Sequence, residues 1–158
     1  MSPKYRQAPN RGRVDGHSAK KRLSQNFLHD LNVRDRIVQA GAPAAGELVL
    51  EIGPGLGFLT EALLASGANV VAVELDNDLF PRLQPKFAAQ ISAGQLTLIH
   101  GDALTVDLES LAPTSGSWRV IANIPYHVTS PLLHRLLMLA VPPARIVCLV
   151  QLEVASRR

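Results

Sequence analysis

Two hydrophobic periods alternate along the chain. Short apolar runs occur at Leu48-Val49-Leu50-Glu51-Ile52, at Val70 to Glu74, at Leu96 to Ile99, at Arg119 to Asn123 and at Ile146 to Val150. Each predicts a strand, the first ending at Gly53. The runs are continuous rather than alternating, so both faces of the strands are expected to be covered, as in a parallel sheet. Helical stretches lie between them. Asn32 is placed to cap Val33 to Ala40 with Gly41 as the stop, and Leu59 to Ala65 ends at Gly67. Asp78 to Ile91 follows the second strand, bent or shortened by Pro81 and Pro85. Ser130 and Pro131 form a cap and first-turn pair opening Leu132 to Leu139. Strand-helix alternation predicts an α/β fold with a mostly parallel, doubly wound sheet. The 158 residues are enough for one domain with a proper core.

Charge changes the picture at one end. Lys4, Arg6, Arg11, Arg13, Lys20, Lys21 and Arg22 are opposed there only by Asp15, and large apolar residues are scarce. Residues 1–19 are expected to form a disordered basic arm. Such an arm serves either as a solubilising tail or as an attraction to nucleic acid phosphates. No apolar run is long enough to span a membrane and no signal-peptide pattern is present, so a cytoplasmic location is the expectation. The single cysteine, Cys148, lies in an apolar run and is expected to be a buried structural thiol. The five histidines show no metal-ligand spacing, and no metal site is expected.

In a doubly wound sheet the chemistry sits at the carboxyl ends of the strands. The first such end is Glu51-Ile52-Gly53-Pro54-Gly55-Leu56-Gly57. Its glycines let the backbone turn sharply and approach a ligand. The dinucleotide fingerprint G-x-G-x-x-G needs a third glycine at position 58, where this chain has Phe58. The G-x-G-x-G spacing fits the nucleoside-cofactor loop of methyltransferases better and disfavours an NAD-dependent oxidoreductase. A purely structural turn is the competing reading. Glu74 ends the second strand, where a carboxylate can accept both ribose hydroxyls of an adenosine. That supports a nucleoside without naming it, and a solvated strand-end carboxylate is the alternative. Asp102, after the third strand, can accept from an adenine amino group, or it can simply close a turn.

Asn123-Ile124-Pro125-Tyr126 ends the fourth strand. The exocyclic nitrogen of adenine is a poor nucleophile because its lone pair is delocalised into the ring. The Asn123 side-chain oxygen and a nearby backbone carbonyl can accept its two N–H bonds and favour lone-pair localisation. Pro125 rigidifies the turn. Tyr126 offers a flat face for a splayed-out base. A strand-end turn with a packed tyrosine is the structural alternative.

These segments together resemble the bacterial small-subunit rRNA adenine N6,N6-dimethyltransferases of the kasugamycin-sensitivity type, whose relatives include the erythromycin-resistance methyltransferases. The resemblance rests on Ser24-Gln25-Asn26-Phe27-Leu28, the glycine loop, Glu74-Leu75-Asp76, Gly101-Asp102-Ala103, Asn123-Ile124-Pro125-Tyr126 and Val150-Gln151-Leu152-Glu153-Val154-Ala155. It runs from about Lys20 to Arg158. It implies a Rossmann-like class I S-adenosylmethionine-dependent methyltransferase domain over residues 20–158. By that resemblance Asn26 and Leu28 fold over the cofactor, Gly53 lies against its methionine part, Glu74 holds the ribose and Asp102 reads the adenine. Asn123 then touches both cofactor and target amine, with Pro125 and Tyr126 completing the catalytic turn. The implied partners are ribosomal RNA and the immature small ribosomal subunit, with a monomer expected for the complete protein. Ser24 stands where the small-subunit branch often has glycine, and Leu152 where the family's last motif has a basic residue.

The resemblance also implies further strands and a C-terminal helical RNA-binding domain. The sheet is therefore expected to be incomplete at its C-terminal end, with residues 146–150 as an apolar edge. A dimethyltransferase is the leading reading. A large-subunit methyltransferase conferring macrolide resistance and a non-catalytic RNA-binding or assembly fragment are the alternatives.

Overall fold

The computed structural model describes residues 30–124 and 126–149, with only the backbone of Tyr126. In chain order they form α1 (Leu31–Gly41), β1 (Leu48–Ile52), α2 (Phe58–Ala65), β2 (Asn69–Glu74), α3 (Phe80–Lys86), α4 (Ala88–Ser92), β3 (Leu96–His100), α5 (Leu108–Leu111), β4 (Trp118–Asn123), α6 (Tyr126–Leu137) and β5 (Arg145–Leu149). The strands make one parallel sheet in the order β3-β2-β1-β4-β5. The order reverses between β1 and β4, and this switch point is where such sheets open a crevice.

The continuous apolar runs are explained by a core on each face. Val49, Val70, Ala72 and Ile121 pack with Ile37, Leu59, Leu63, Leu83 and Phe87 under α1 to α4. Their strand neighbours Leu50, Ile52, Val73, Val120 and Ala122 point the other way, onto Leu108, Leu132 and Leu136 of α5 and α6. At the amino ends of the strands, Glu47 accepts from the Ala44 N–H (2.9 Å), Arg119 Nε (2.7 Å) and the Ser117 hydroxyl (2.7 Å). Burial pushes the Glu47 carboxyl up, but these three bonds and the Arg119 charge outweigh it and hold the group below its ordinary value.

The five expected strands are present within a residue at their observed ends, although Val150 lies outside the described residues. The helices differ more. Asp30, not Asn32, caps α1, its carboxylate accepting from the Asn32 N–H at 2.9 Å. Gly41 is not the stop either. It lies inside the helix, where a Cβ would come 2.9 Å from Ile121 Cδ1, and the chain leaves the helix at Ala42 (φ 42°), ahead of Pro43. The stretch after β2 is two helices broken at Phe87. The helix after β4 starts at Tyr126 and runs through Pro131, rather than starting there. The proline removes one backbone donor, while burial of Leu132 and Leu136 holds the helix to the sheet. Cys148, expected to be buried, is half-buried against the second core, because β5 lies at the edge of the described sheet, and burial pushes its thiol up.

Candidate functional site

The pairing registers bring three strand ends level. Ile52 of β1 faces Val73 of β2 on one side and Ala122 of β4 on the other. The next residues along, Gly53, Glu74 and Asn123, therefore meet at the switch point. Gly53 has φ +74°, and a Cβ there would lie 2.6 Å from the Asn123 carbonyl oxygen. Its N–H donates to the Val73 carbonyl at 2.9 Å. Only glycine permits both the turn and the approach to β4. At the far end of the loop Gly57 (φ +85°) leaves no room for a Cβ, which would lie 2.6 Å from the Phe87 ring.

Glu74 is not a solvated strand-end carboxylate. It is 6% exposed. Its Oε2 accepts from the Gly55 N–H and its Oε1 from the Asp76 N–H, both at 2.9 Å. The acid at the end of β2 thus shapes the glycine loop beside it. Leu75, the next residue, is 62% exposed. A large apolar side chain left in solvent beside a buried acid is a feature that period-based reading passes over.

Asp102 closes a turn: its Oδ1 accepts from the Leu104 N–H at 2.8 Å and its carbonyl from the Thr105 and Val106 N–H groups. Asp102 thus closes a turn, and this leaves Oδ2 outside that bond. Arg135 of α6 donates to the carbonyls of Ala103 (2.5 Å) and Val106 (2.7 Å), tying this loop to the helix that follows Asn123. Between the Glu74 and Asp102 loops, Phe80 and His100 stack with ring centroids 4.6 Å apart.

Glu51 has no role in a motif-based reading, yet its carboxyl is strongly perturbed. It is 1% exposed, and the Thr60 hydroxyl donates to its Oε2 at 2.7 Å. Burial, opposed by the Thr60 bond and reinforced by the Glu74 charge, raises its carboxyl to about 7. The available signal was a carboxylate inside an otherwise apolar run.

Asn123 is partly exposed at the end of β4. Asn26, Leu28, Pro125, the Tyr126 side chain, the basic arm and the motif from Val150 to Ala155 lie outside the described residues. Among the described residues, no cluster of His, Cys, Asp or Glu is placed to hold a metal ion, and no helix is long and apolar enough to cross a membrane.

A parallel sheet with this strand order, a glycine loop after β1, an acid after β2 and an asparagine across the switch point defines a class I methyltransferase fold. Two solved structures share it. One is the 23S rRNA methyltransferase ErmE (TM-score 0.68, 28% identity, covering 84% of this chain and 51% of that one). The other is a dimethyladenosine transferase from Plasmodium falciparum (TM-score 0.66, 27% identity, covering 81% and 44%). The chain belongs to the ribosomal RNA adenine dimethylase family, whose model matches residues 16–158. It is similar to the ribosomal RNA small subunit methyltransferase A of Hahella chejuensis, at 49% identity over 122 residues, covering 77% of this chain and 44% of the relative. With the protein of that name from Pelotomaculum thermopropionicum the identity is 44% over 154 residues, covering 92% and 51%. The chain spans about half the length of the curated relatives it matches.

Proposed function

We propose that this chain carries the cofactor and target-amine halves of an S-adenosylmethionine-dependent rRNA adenine N6-dimethyltransferase. The observation that carries the reading is the convergence of Gly53, Glu74 and Asn123 at the switch point. The residues fit an adenosine cofactor. A carboxylate has roughly four lone-pair sites, and backbone N–H groups occupy two of those on Glu74, so two are left for a pair of ribose hydroxyls. Asp102 has Oδ2 outside its turn for an adenine amino group. Leu75 offers an apolar face for the adenine ring. Gly53 leaves the loop open to the methionine part.

The cofactor supplies an electrophilic methyl group on a sulfonium sulfur. The protein's task is to present the amine. The Asn123 side-chain oxygen and a backbone carbonyl of the turn after it accept the two N–H bonds of the target nitrogen, which turns its lone pair toward the methyl donor. Tyr126 stacks the extruded base. No base is needed before attack, because the amine is neutral and sheds its proton after the new bond forms.

Small-subunit rRNA is the favoured substrate, since relatives named for that subunit are 44–49% identical whereas the 23S enzyme is 28% identical. An immature small subunit is then the partner, met in the cytoplasm. The test is calorimetry of S-adenosylmethionine with the parent chain and Glu74→Ala. Losing two ribose bonds at ~1 kcal/mol net each weakens binding about thirtyfold. Equal affinity in both proteins overturns the ribose role. Asn123→Ala in the same chain, extended by the C-terminal half of a small-subunit relative, should abolish methyl transfer with the fold intact.

A further inference from the structure

The glycine loop is held at a point that its own sequence does not supply. Lys86, the last residue of α3, donates from Nζ to the Leu56 carbonyl at 2.8 Å and pairs with Glu61 Oε1 at 2.8 Å. The same ammonium lies 5.0 Å from the centroid of the Phe58 ring and 5.3 Å from that of Phe87. Leu56 C=O and Gly57 N–H belong to one peptide unit. Its N–H donates to the Pro54 carbonyl at 2.9 Å, so both ends of this unit are engaged. The helix break at Phe87 sets up the arrangement, because Lys86 and Phe87 meet the loop from adjacent positions, one at the Leu56 carbonyl and one at Gly57.

We propose that Lys86 is a positioning residue for the cofactor loop: it fixes the Leu56–Gly57 peptide plane and thereby holds the loop in the form that accepts S-adenosylmethionine. The proposal rests on the cofactor reading above and extends it to a residue outside the motifs. The contact is specific to the carbonyl. The ion pair with Glu61 is half in solvent, where such pairs contribute little, with side chains 32% and 46% exposed. The bond to Leu56 constrains the loop itself. Among the described residues Lys86 is bonded to Leu56 and Glu61 and not to Asn123, so its effect is expected in cofactor binding rather than in the methyl-transfer step.

The test is calorimetric titration of S-adenosylmethionine into the 158-residue chain and into Lys86→Met, Lys86→Arg and Glu61→Gln, with a thermal melt of each. Lys86→Met should bind about tenfold more weakly, the worth of a charge-assisted bond discounted for exposure. Lys86→Arg, which keeps a cationic donor, should recover affinity to within about threefold, and Glu61→Gln should stay within about twofold of the parent. The melting temperatures should lie close together, and the Gly57 amide, bonded to the Pro54 carbonyl, should exchange faster in Lys86→Met. Parent-like affinity in Lys86→Met, or a loss in Lys86→Arg as deep as in Lys86→Met, overturns the proposal while leaving the cofactor reading intact. Absence of binding by the parent overturns both.

Discussion

Alanine at Gly53 and alanine at Gly55 separate two costs that a glycine loop hides. Both residues have left-handed backbones, with φ +74° and +60°. Both substitutions therefore carry conformational strain of about 1–2 kcal/mol. A Cβ on Gly55 would meet nothing within 4 Å, whereas one on Gly53 would lie 2.6 Å from the Asn123 oxygen and 3.6 Å from its carbonyl carbon. The obstructing atom is backbone and cannot swing aside like a side chain. The ladder from Leu48↔Trp118 to Ile52↔Ala122 holds β4 against β1 up to that point. The two strand ends must part, at the place where Asn123 sits. We expect about 1–2 kcal/mol of destabilisation for Gly55→Ala and about 3–5 kcal/mol for Gly53→Ala. At roughly 2–4 °C per kcal/mol for a chain of this size, the melting temperatures should fall by about 5 °C and about 12 °C. Urea unfolding followed by Trp118 fluorescence is a suitable assay, because that indole is fully buried and donates to the Val141 carbonyl at 2.9 Å. Equal losses in the two variants, or a parent-like midpoint for Gly53→Ala, would refute the close approach of β1 and β4 as the reason for glycine at position 53.

Glu51 makes stability depend on pH. Its carboxyl ionises near 4.5 in the unfolded chain and at about 7 in the folded one, so the folded state holds the extra proton in that window. The stability it contributes is complete below pH 4.5 and is lost as the pH rises through 7, up to about 3 kcal/mol. Glu51→Gln should flatten the plot of urea midpoint against pH between 5 and 8 and exceed the parent's midpoint at pH 8; an unchanged slope would assign the pH dependence to other groups. Arg135→Met removes both carbonyl bonds to the Asp102 loop and should cost about 2 kcal/mol by chemical denaturation. Arg135→Lys should recover less than half of that, because a single ammonium cannot reproduce the planar two-point contact; full recovery would mean that charge alone holds the loop.

The strands and the glycine loop were legible because their signals are local. A buried parallel strand needs a short unbroken apolar run, and the runs at 48–52 and 119–123 could be read without knowing their neighbours. The spacing of Gly53, Gly55 and Gly57, the acid after β2 and the asparagine after β4 are likewise written in consecutive residues, and they were enough to name the family. Helix boundaries were less legible, since tertiary packing competes with local preference. The glycine at position 41 makes room for Ile121 rather than ending the helix, and α6 passes through Pro131 while Leu132 and Leu136 are buried below.

What only the tertiary structure decided is who meets whom across the sheet. The sequence marked Glu74 as a candidate acid, but its burial and its bond to the Gly55 N–H arise from β1 and β2 lying side by side. Glu51 becomes a proton-holding group only because the fold excludes water from it and sets the Glu74 charge near it, against the opposing bond from Thr60. Lys86 reaches Leu56 across 30 positions, and Arg135 reaches Ala103 across 32. Hydrophobic pattern records how a side chain responds to water, a property of one residue and its near neighbours. A hydrogen bond to a particular carbonyl depends on strand order and helix placement, which are properties of the whole chain.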